Sequence, residues 1–247
     1  MAGHSHWKNM AHHKGIVDAK RGRLWSKLSR AIMVAARVGG SDPVMNVRLR
    51  FAIDKARSVS MPKENIERAM KKGAGELEGQ AFDEIVYEGF GPGGVAIICD
   101  ILTDNRNRTN GEVRKIFERA GGNMGGPGCV AYMFDRKGLF EIPASATDED
   151  TLLTLALDAG ADDIKNFGDT FEITCDPTAF LQVKASLEKN NLTPFVTSAS
   201  INQIGKLQVD CDTETGQKVM ALLEALDDHD DVQNVYSNLN VTDAMMA

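Results

Sequence analysis

The chain has 247 residues, 43% of them hydrophobic, and a net charge of −7. That apolar content builds a real interior and excludes a disordered chain, and no apolar run approaches the roughly 18 residues of a membrane span. The charge is laid out unevenly: residues 1–75 hold 16 Lys/Arg against 5 Asp/Glu, and residues 76–247 hold 12 against 30.

A balance of +11 in the first 75 residues beside −18 in the rest points to nucleic-acid contact through the first segment, because segregated charge of this size is more than a solvated surface needs. Residues 1–20 mix Lys8, Lys14 and Lys20 with four histidines and Trp7. They lack the apolar stretch of a secretory signal, so a cytoplasmic protein is expected. No helical period runs through them, and they read as an arm that orders on binding or by packing on the body. His4, His6, His12 and His13 fit no structural zinc spacing. His12 and His13 beside Lys8 and Lys14 read as donors to phosphates or bases, and Trp7 either stacks on a base or anchors the arm.

Residues 22–38 read as an amphipathic helix. Leu24, Trp25, Leu28, Ile32, Ala35 and Ala36 fall in one arc, and Arg23, Lys27, Arg30 and Arg37 in another. Gly39-Gly40 ends it. Ser41-Asp42-Pro43 is an N-cap candidate for a second helix to about Val59, with Met45, Leu49, Ala52, Ile53 and Ala56 as its apolar stripe and Arg48, Arg50, Lys55 and Arg57 flanking it. A third helix spans Met61-Pro62 to Gly73. Three helices with short connections make a bundle, and Gly73-Ala74-Gly75-Glu76 reads as the linker.

From residue 83 the period changes to that of strands. Segments 84–90 and 95–102 are strands joined by Gly91-Pro92-Gly93-Gly94. A helix at 110–122 and a strand at 129–135 follow. Strand 137–142, helix 148–160, strands 161–167 and 169–175, helix 177–191 and strand 194–201 give the ferredoxin-like order βαββαβ. Strand 206–211, helix 215–226 and strand 233–241 close the chain. The expected fold is multidomain, α and α+β: an N-terminal three-helix bundle, an α+β domain, and a ferredoxin-like domain inserted in it. The expected units are an arm at 1–20, the bundle at 21–75, the α+β domain at 76–136 plus 205–247, and the insert at 137–204.

Letters matching G-x-G-x-x-G at 89–94 precede a strand and contain a proline, so they read as a connection and not as a phosphate cradle. The polar run Asp104–Thr109 reads as a loop whose Arg106 and Arg108 donate to phosphate. Asp227-Asp228-His229-Asp230-Asp231 reads as a solvated turn, without the spacing of a calcium loop. The four cysteines are far apart and read as small buried hydrophobes. No nucleophile–base pairing, metalloprotease signature or P-loop is present, so neither an enzyme nor a cofactor is expected. The insert holds 4 Lys/Arg against 11 Asp/Glu, a poor nucleic-acid surface and a better protein-contact or structural one.

Several runs resemble the YebC/PmpR family, whose relatives include the mitochondrial translational activator of cytochrome c oxidase subunit I. They include Asp18-Ala19-Lys20-Arg21-Gly22, IMVAAR at 32–37, MPKENIERA at 61–69, LTDNRNRT at 102–109, GGNMG at 121–125, AYMFDRKG at 131–138 and DDVQNVYSN at 230–238. The resemblance spans the chain. It implies a three-domain cytoplasmic protein without enzymatic activity, commonly described as a DNA-binding transcriptional regulator. Some members are described instead as ribosome-associated translation factors. The expected partner is nucleic acid, either DNA or ribosomal RNA with the ribosome, and neither a membrane nor a small-molecule substrate. The candidate contacts are Lys8, His12, His13, Lys14, Lys20, Arg21, Arg23, Lys27, Arg30, Arg48, Arg50, Lys55, Arg57, Arg106 and Arg108. This chain departs from the family pattern where Ala11-His12-His13 replaces a more basic stretch. Contacts by those histidines should strengthen as pH falls through about 6.5.

Overall fold

The structure, a computed structural model, describes residues 18–78 and 81–246. Most of the expected arm therefore lies outside the described residues. The first helix begins at Asp18, earlier than periodicity suggested, and runs to Gly39 as α1 (Asp18–Gly39). Beyond it, Gly40 takes the left-handed conformation that only glycine adopts cheaply, with φ +86. Leu28, Ile32, Ala35 and Ala36 repeat at helical spacing and are buried. They pack against Leu49, Ile53 and Ala56 of α2 (Val47–Ser58) and Ile66 and Ala69 of α3 (Lys63–Gly73). At Gly73 a Cβ would collide with the Met33 carbonyl, so the close crossing of α1 and α3 dictates glycine there.

The second helix starts later than expected. Asp42 is not its cap: it accepts from Val44 N–H at 2.9 Å and holds a turn. The cap is Asn46, whose side chain accepts from Leu49 N–H at 3.0 Å. Its Nδ2 donates back to Ala35 O at 2.8 Å and Gly40 O at 2.7 Å. One buried amide thus satisfies orphan groups at the end of α1 and the start of α2. Met45, expected in the apolar stripe, lies before the helix and is 81% exposed.

The first sheet has the order β3-β1-β2-β8. β1 (Asp83–Phe90) and β2 (Ala96–Thr103) form an antiparallel hairpin with Phe90 opposite Ala96. β8 (Val232–Ser237) flanks β2, and the two-residue β3 (Asn123–Met124) edges β1. On one face, Ile97, Cys99 and Ile101 pack against Val113 and Phe117 of α4 (Arg106–Arg119) and Val219, Leu222 and Leu226 of α7 (Thr213–Asp227). On the other, Ala96 and Ile98 meet Val130, Phe134 and Tyr236. Burial on both faces explains why β2 reads as a continuous apolar run.

Residues 129–133 are not a strand. The buried Glu88 carboxylate accepts from Gly128, Val130 and Ala131 N–H at 2.6, 2.8 and 2.8 Å. Amides held this way cannot join a ladder, and one turn of 3-10 helix forms at Ala131–Met133 instead. Burial pushes the Glu88 carboxyl up, yet the three amides outweigh it and hold it below the usual carboxylate range.

β4 (Phe134–Pro143) then opens a second sheet, followed by α5 (Glu149–Asp158), β5 (Ala161–Asn166), β6 (Thr170–Cys175), α6 (Phe180–Lys189) and β7 (Ser198–Gly205). Its order is β5-β6-β4-β7 with every pairing antiparallel, the ferredoxin-like arrangement. Phe140, Ile142, Phe171 and Ile173 pack under Leu152, Ala156, Phe180, Val183 and Leu187. This sheet lies in sequence between β3 and α7, so it is inserted in the first. The expected strand at 206–211 is absent: only Val209 bridges Leu239. The side chain of Asn238 takes Ala96 N–H at 2.8 Å and gives to Leu207 O at 3.2 Å, which pins the segment as a loop. A short helix, α8 (Asp243–Met246), which periodicity did not signal, ends the described chain. No helix among the described residues is long and apolar enough to cross a membrane.

The bundle touches both sheets' layers. Phe51 of α2 meets Phe180 edge-on at 5.1 Å, and Lys184 lies 3.2 Å from Asp54.

Candidate nucleic-acid interface

Three members of the basic arc of α1, Arg23, Lys27 and Arg30, are tied to acidic residues, and Arg37 is exposed. The three lie against the turn after α7. Arg23 sits 3.7 Å from Asp228. Lys27, only 9% exposed, donates to the Asp227 carbonyl. Arg30 donates to Asp230 O at 2.6 Å and Asp231 Oδ1 at 2.9 Å, and its guanidinium lies 5.6 Å above the Phe82 ring. Burial lowers the Lys27 ammonium from its ordinary value, against the pull of Asp227, Asp228 and Asp230.

Asp231 is the hub. It is 3% exposed, not the solvated turn residue the sequence suggested. Besides Arg30 it accepts from Arg108 Nη2 at 2.7 Å, Thr109 Oγ1 at 2.7 Å and Thr103 Oγ1 at 3.1 Å. Burial pushes its carboxyl up. Hydrogen bonds from Thr109 and Arg108 and the charges of Arg30 and Arg108 overcome that and hold it below the usual range. His229 shapes the turn: its Nδ1 accepts from Asp231 N–H at 3.1 Å, leaving Nε2 to donate to Glu112 at 3.0 Å. Among the described residues no acidic or histidine cluster is placed to hold a metal.

The Asp104–Thr109 run is not a loop either. Asn105 caps α4 by accepting from Arg108 N–H at 3.1 Å, and Arg106 and Arg108 occupy its first turn. Arg106 pairs with Asp83 at 2.8 Å. Arg108 pairs with Asp104 at 2.9 Å as well as Asp231. Arg48 makes a two-pronged bond to Glu84 at 2.9 and 2.7 Å. Arg57 lies 3.9 Å from Asp54 and is 70% exposed. Lys55 is exposed and Arg50 half-buried; Arg21 is exposed. Lys8, His12, His13 and Lys14 lie outside the described residues, and Lys20 falls in the first turns of α1. The structure thus gathers Arg23, Lys27, Arg30 and Arg108 around one carboxylate-rich turn, holds Arg106 beside Asp83 on the body, and leaves the remaining described candidates spread over the bundle.

Four cations stand outside the candidate contacts drawn from the sequence. Arg37 ends α1, and Arg68, Lys71 and Lys72 lie on the last turns of α3; all are exposed. None has an ion-pair partner among the described residues. The available signal was spacing, since Arg68 and Lys72 stand four apart and share a face.

Comparison with known proteins follows the same division of the chain. Residues 5–76 match the family model described as the TACO1/YebC protein N-terminal domain, and residues 82–239 match that of the TACO1/YebC second and third domain. A protein of Rhodopirellula baltica named "Probable transcriptional regulatory protein" is 52% identical over 241 residues, 97% of either chain. One of the same name from Geobacter sulfurreducens is 49% identical over 98% of this chain and 97% of its own. The crystal structure of a conserved hypothetical protein from Aquifex aeolicus superposes with a TM-score of 0.83 at 48% identity, covering 92% of this chain and 93% of that one.

Proposed function

The chain belongs to the TACO1/YebC family, and from that premise we propose that it is a nucleic-acid-binding regulator of gene expression, acting as a DNA-binding transcriptional regulator through its helical bundle. The names of the relatives support the regulatory role. The observation that carries nucleic acid is the set of exposed bundle cations, Arg21, Arg37, Arg68, Lys71 and Lys72, which lack a carboxylate partner among the described residues. Such cations neutralise phosphates without first surrendering an ion pair. Arg23, Lys27, Arg30 and Arg48 take a different part: they seat the bundle on the acidic body, while Arg106 and Arg108 pair within that body. Arg50, Lys55 and Arg57, with Lys8, His12, His13, Lys14 and Lys20 of the arm, extend the binding surface.

In this reading the units are the arm at 1–20, the bundle at 21–75, the body at 76–136 plus 205–247, and the insert at 137–204. The insert offers an acidic surface to a protein neighbour. The activity takes place in the cytoplasm and needs no cofactor or small-molecule substrate. The test is crosslinking in cells, with sequencing of the bound DNA and RNA and parallel sedimentation of ribosomes. Enrichment of promoter DNA without cosedimentation is expected. Crosslinks concentrated on ribosomal RNA in ribosome fractions would overturn the transcriptional reading.

A further inference from the structure

The free cations border a concave site. The ends of α1 and α3 cross at Met33–Ala36 and Gly73, and Gly75, Leu77, Ala81 and Phe82 lie beside them. Between these segments lies a cleft of about 190 Å³. Its floor and walls are Met33, Val34, Leu77 and Phe82, with the side-chain-free Gly73 and Gly75 between, and Arg37 and Lys72 line it too. Leu77 is 45% exposed, an apolar side chain offered to solvent at a basic rim. Lys71 and Arg68 follow on the same helix end.

We propose that this cleft receives one unpaired nucleotide of a single-stranded nucleic acid, the base against Leu77, Val34 and Met33 and its phosphate between Arg37 and Lys72. Unpaired bases present flat apolar faces, and they are held by apolar or aromatic walls beside cations that neutralise the backbone. A duplex keeps its base faces stacked and presents a concave apolar site with nothing to fill it.

A competing explanation is that Arg37, Lys71 and Lys72 merely offset the negative ends of two helix dipoles. That accounts for their sign. It does not account for an exposed leucine set beside Met33, Val34 and Phe82 between them. The dipoles also sharpen the test: two carbonyl ends repel an anion, so phosphate binding here depends entirely on the side chains.

The proposal rests on the bundle binding nucleic acid but not on the target being duplex DNA. The experiment uses the full chain with a fluorescein-labelled single-stranded oligonucleotide, as DNA and as RNA, and with its duplex, followed by anisotropy. Single strands should bind more tightly than the duplex. Leu77→Ser should weaken single-strand binding by about fivefold or more and leave duplex binding unchanged. Arg37→Ala combined with Lys72→Ala should weaken the single strand by about tenfold, with unchanged circular dichroism. If the wild-type protein binds strands and duplex alike and Leu77→Ser is neutral, the cleft is not the site. If it binds the strand but the double variant is unaffected, the phosphate contact is wrong. If it binds no nucleic acid at all, the proposed function itself fails.

Discussion

Asp231 shows how one buried carboxylate joins parts of the chain that the sequence keeps far apart. It collects Arg30 from the bundle, Arg108 and Thr109 from α4 and Thr103 from β2. Replacing it by Asn leaves the Arg30 guanidinium without its counter-charge and Arg108 with Asp104 as its nearest carboxylate. Breaking a buried pair in this way costs about 3 kcal/mol, and Asp231→Asn should lower stability by that order in urea unfolding. The pH dependence follows from the sign of its shift. Its folded pKa is depressed, so its stabilisation is complete above the unfolded value of about 3.9. That stabilisation is lost as pH falls through the folded value. Wild type and Asp231→Asn should therefore differ at neutral pH and converge in stability well below pH ~4. A constant difference down to acid pH would show that the carboxylate's charge is not what matters. None of this was legible locally: five polar residues in a row look alike, and only a partner 201 residues away singles one out.

At the scale of elements, periodicity carried most of the fold. The buried positions of α1 and α3, the unbroken apolar run of β2 and the βαββαβ order all follow from the spacing of side chains along one segment. The misreadings arose where a side chain captured backbone N–H or C=O groups that would otherwise start a helix or extend a strand. Glu88 did so at 128–131, Asn238 at 207, and Asn46 moved the start of α2 past Pro43. Asn46 provides a graded test. Asn46→Ala loses the cap and both donations and should cost about 2 kcal/mol. Asn46→Ser keeps an acceptor for Leu49 N–H but loses the donations to Ala35 and Gly40, so its thermal midpoint should fall between those of wild type and Asn46→Ala. Equal midpoints for the two variants would mean that capping of α2 contributes nothing.

For the whole molecule, the uneven charge announced two parts but not how they meet. Adding charges by segment treats Arg23, Lys27 and Arg30 as available, whereas folding places them against Asp227–Asp231. The candidate site was legible as a basic bundle. Its free members were not, because availability depends on tertiary pairing. Asp227→Asn with Asp228→Asn should loosen the seat of α1, and limited proteolysis should cut faster at 74–78 than in wild type. Unchanged cleavage would show that these acids do not hold the bundle in place. The ion pairing also determines how many counterions a bound strand sheds. Cations that stay with their carboxylates displace no sodium from the nucleic acid, so Arg23, Lys27 and Arg30 drop out of the count, along with Arg108. If only Arg37, Arg68, Lys71 and Lys72 reach phosphates of a single strand, log K should fall against log salt with a slope of about −3. A titration from low to moderate salt thus counts the engaged cations, and a slope of twice that size would mean that Arg21, the arm lysines or the docked arginines reach phosphates as well.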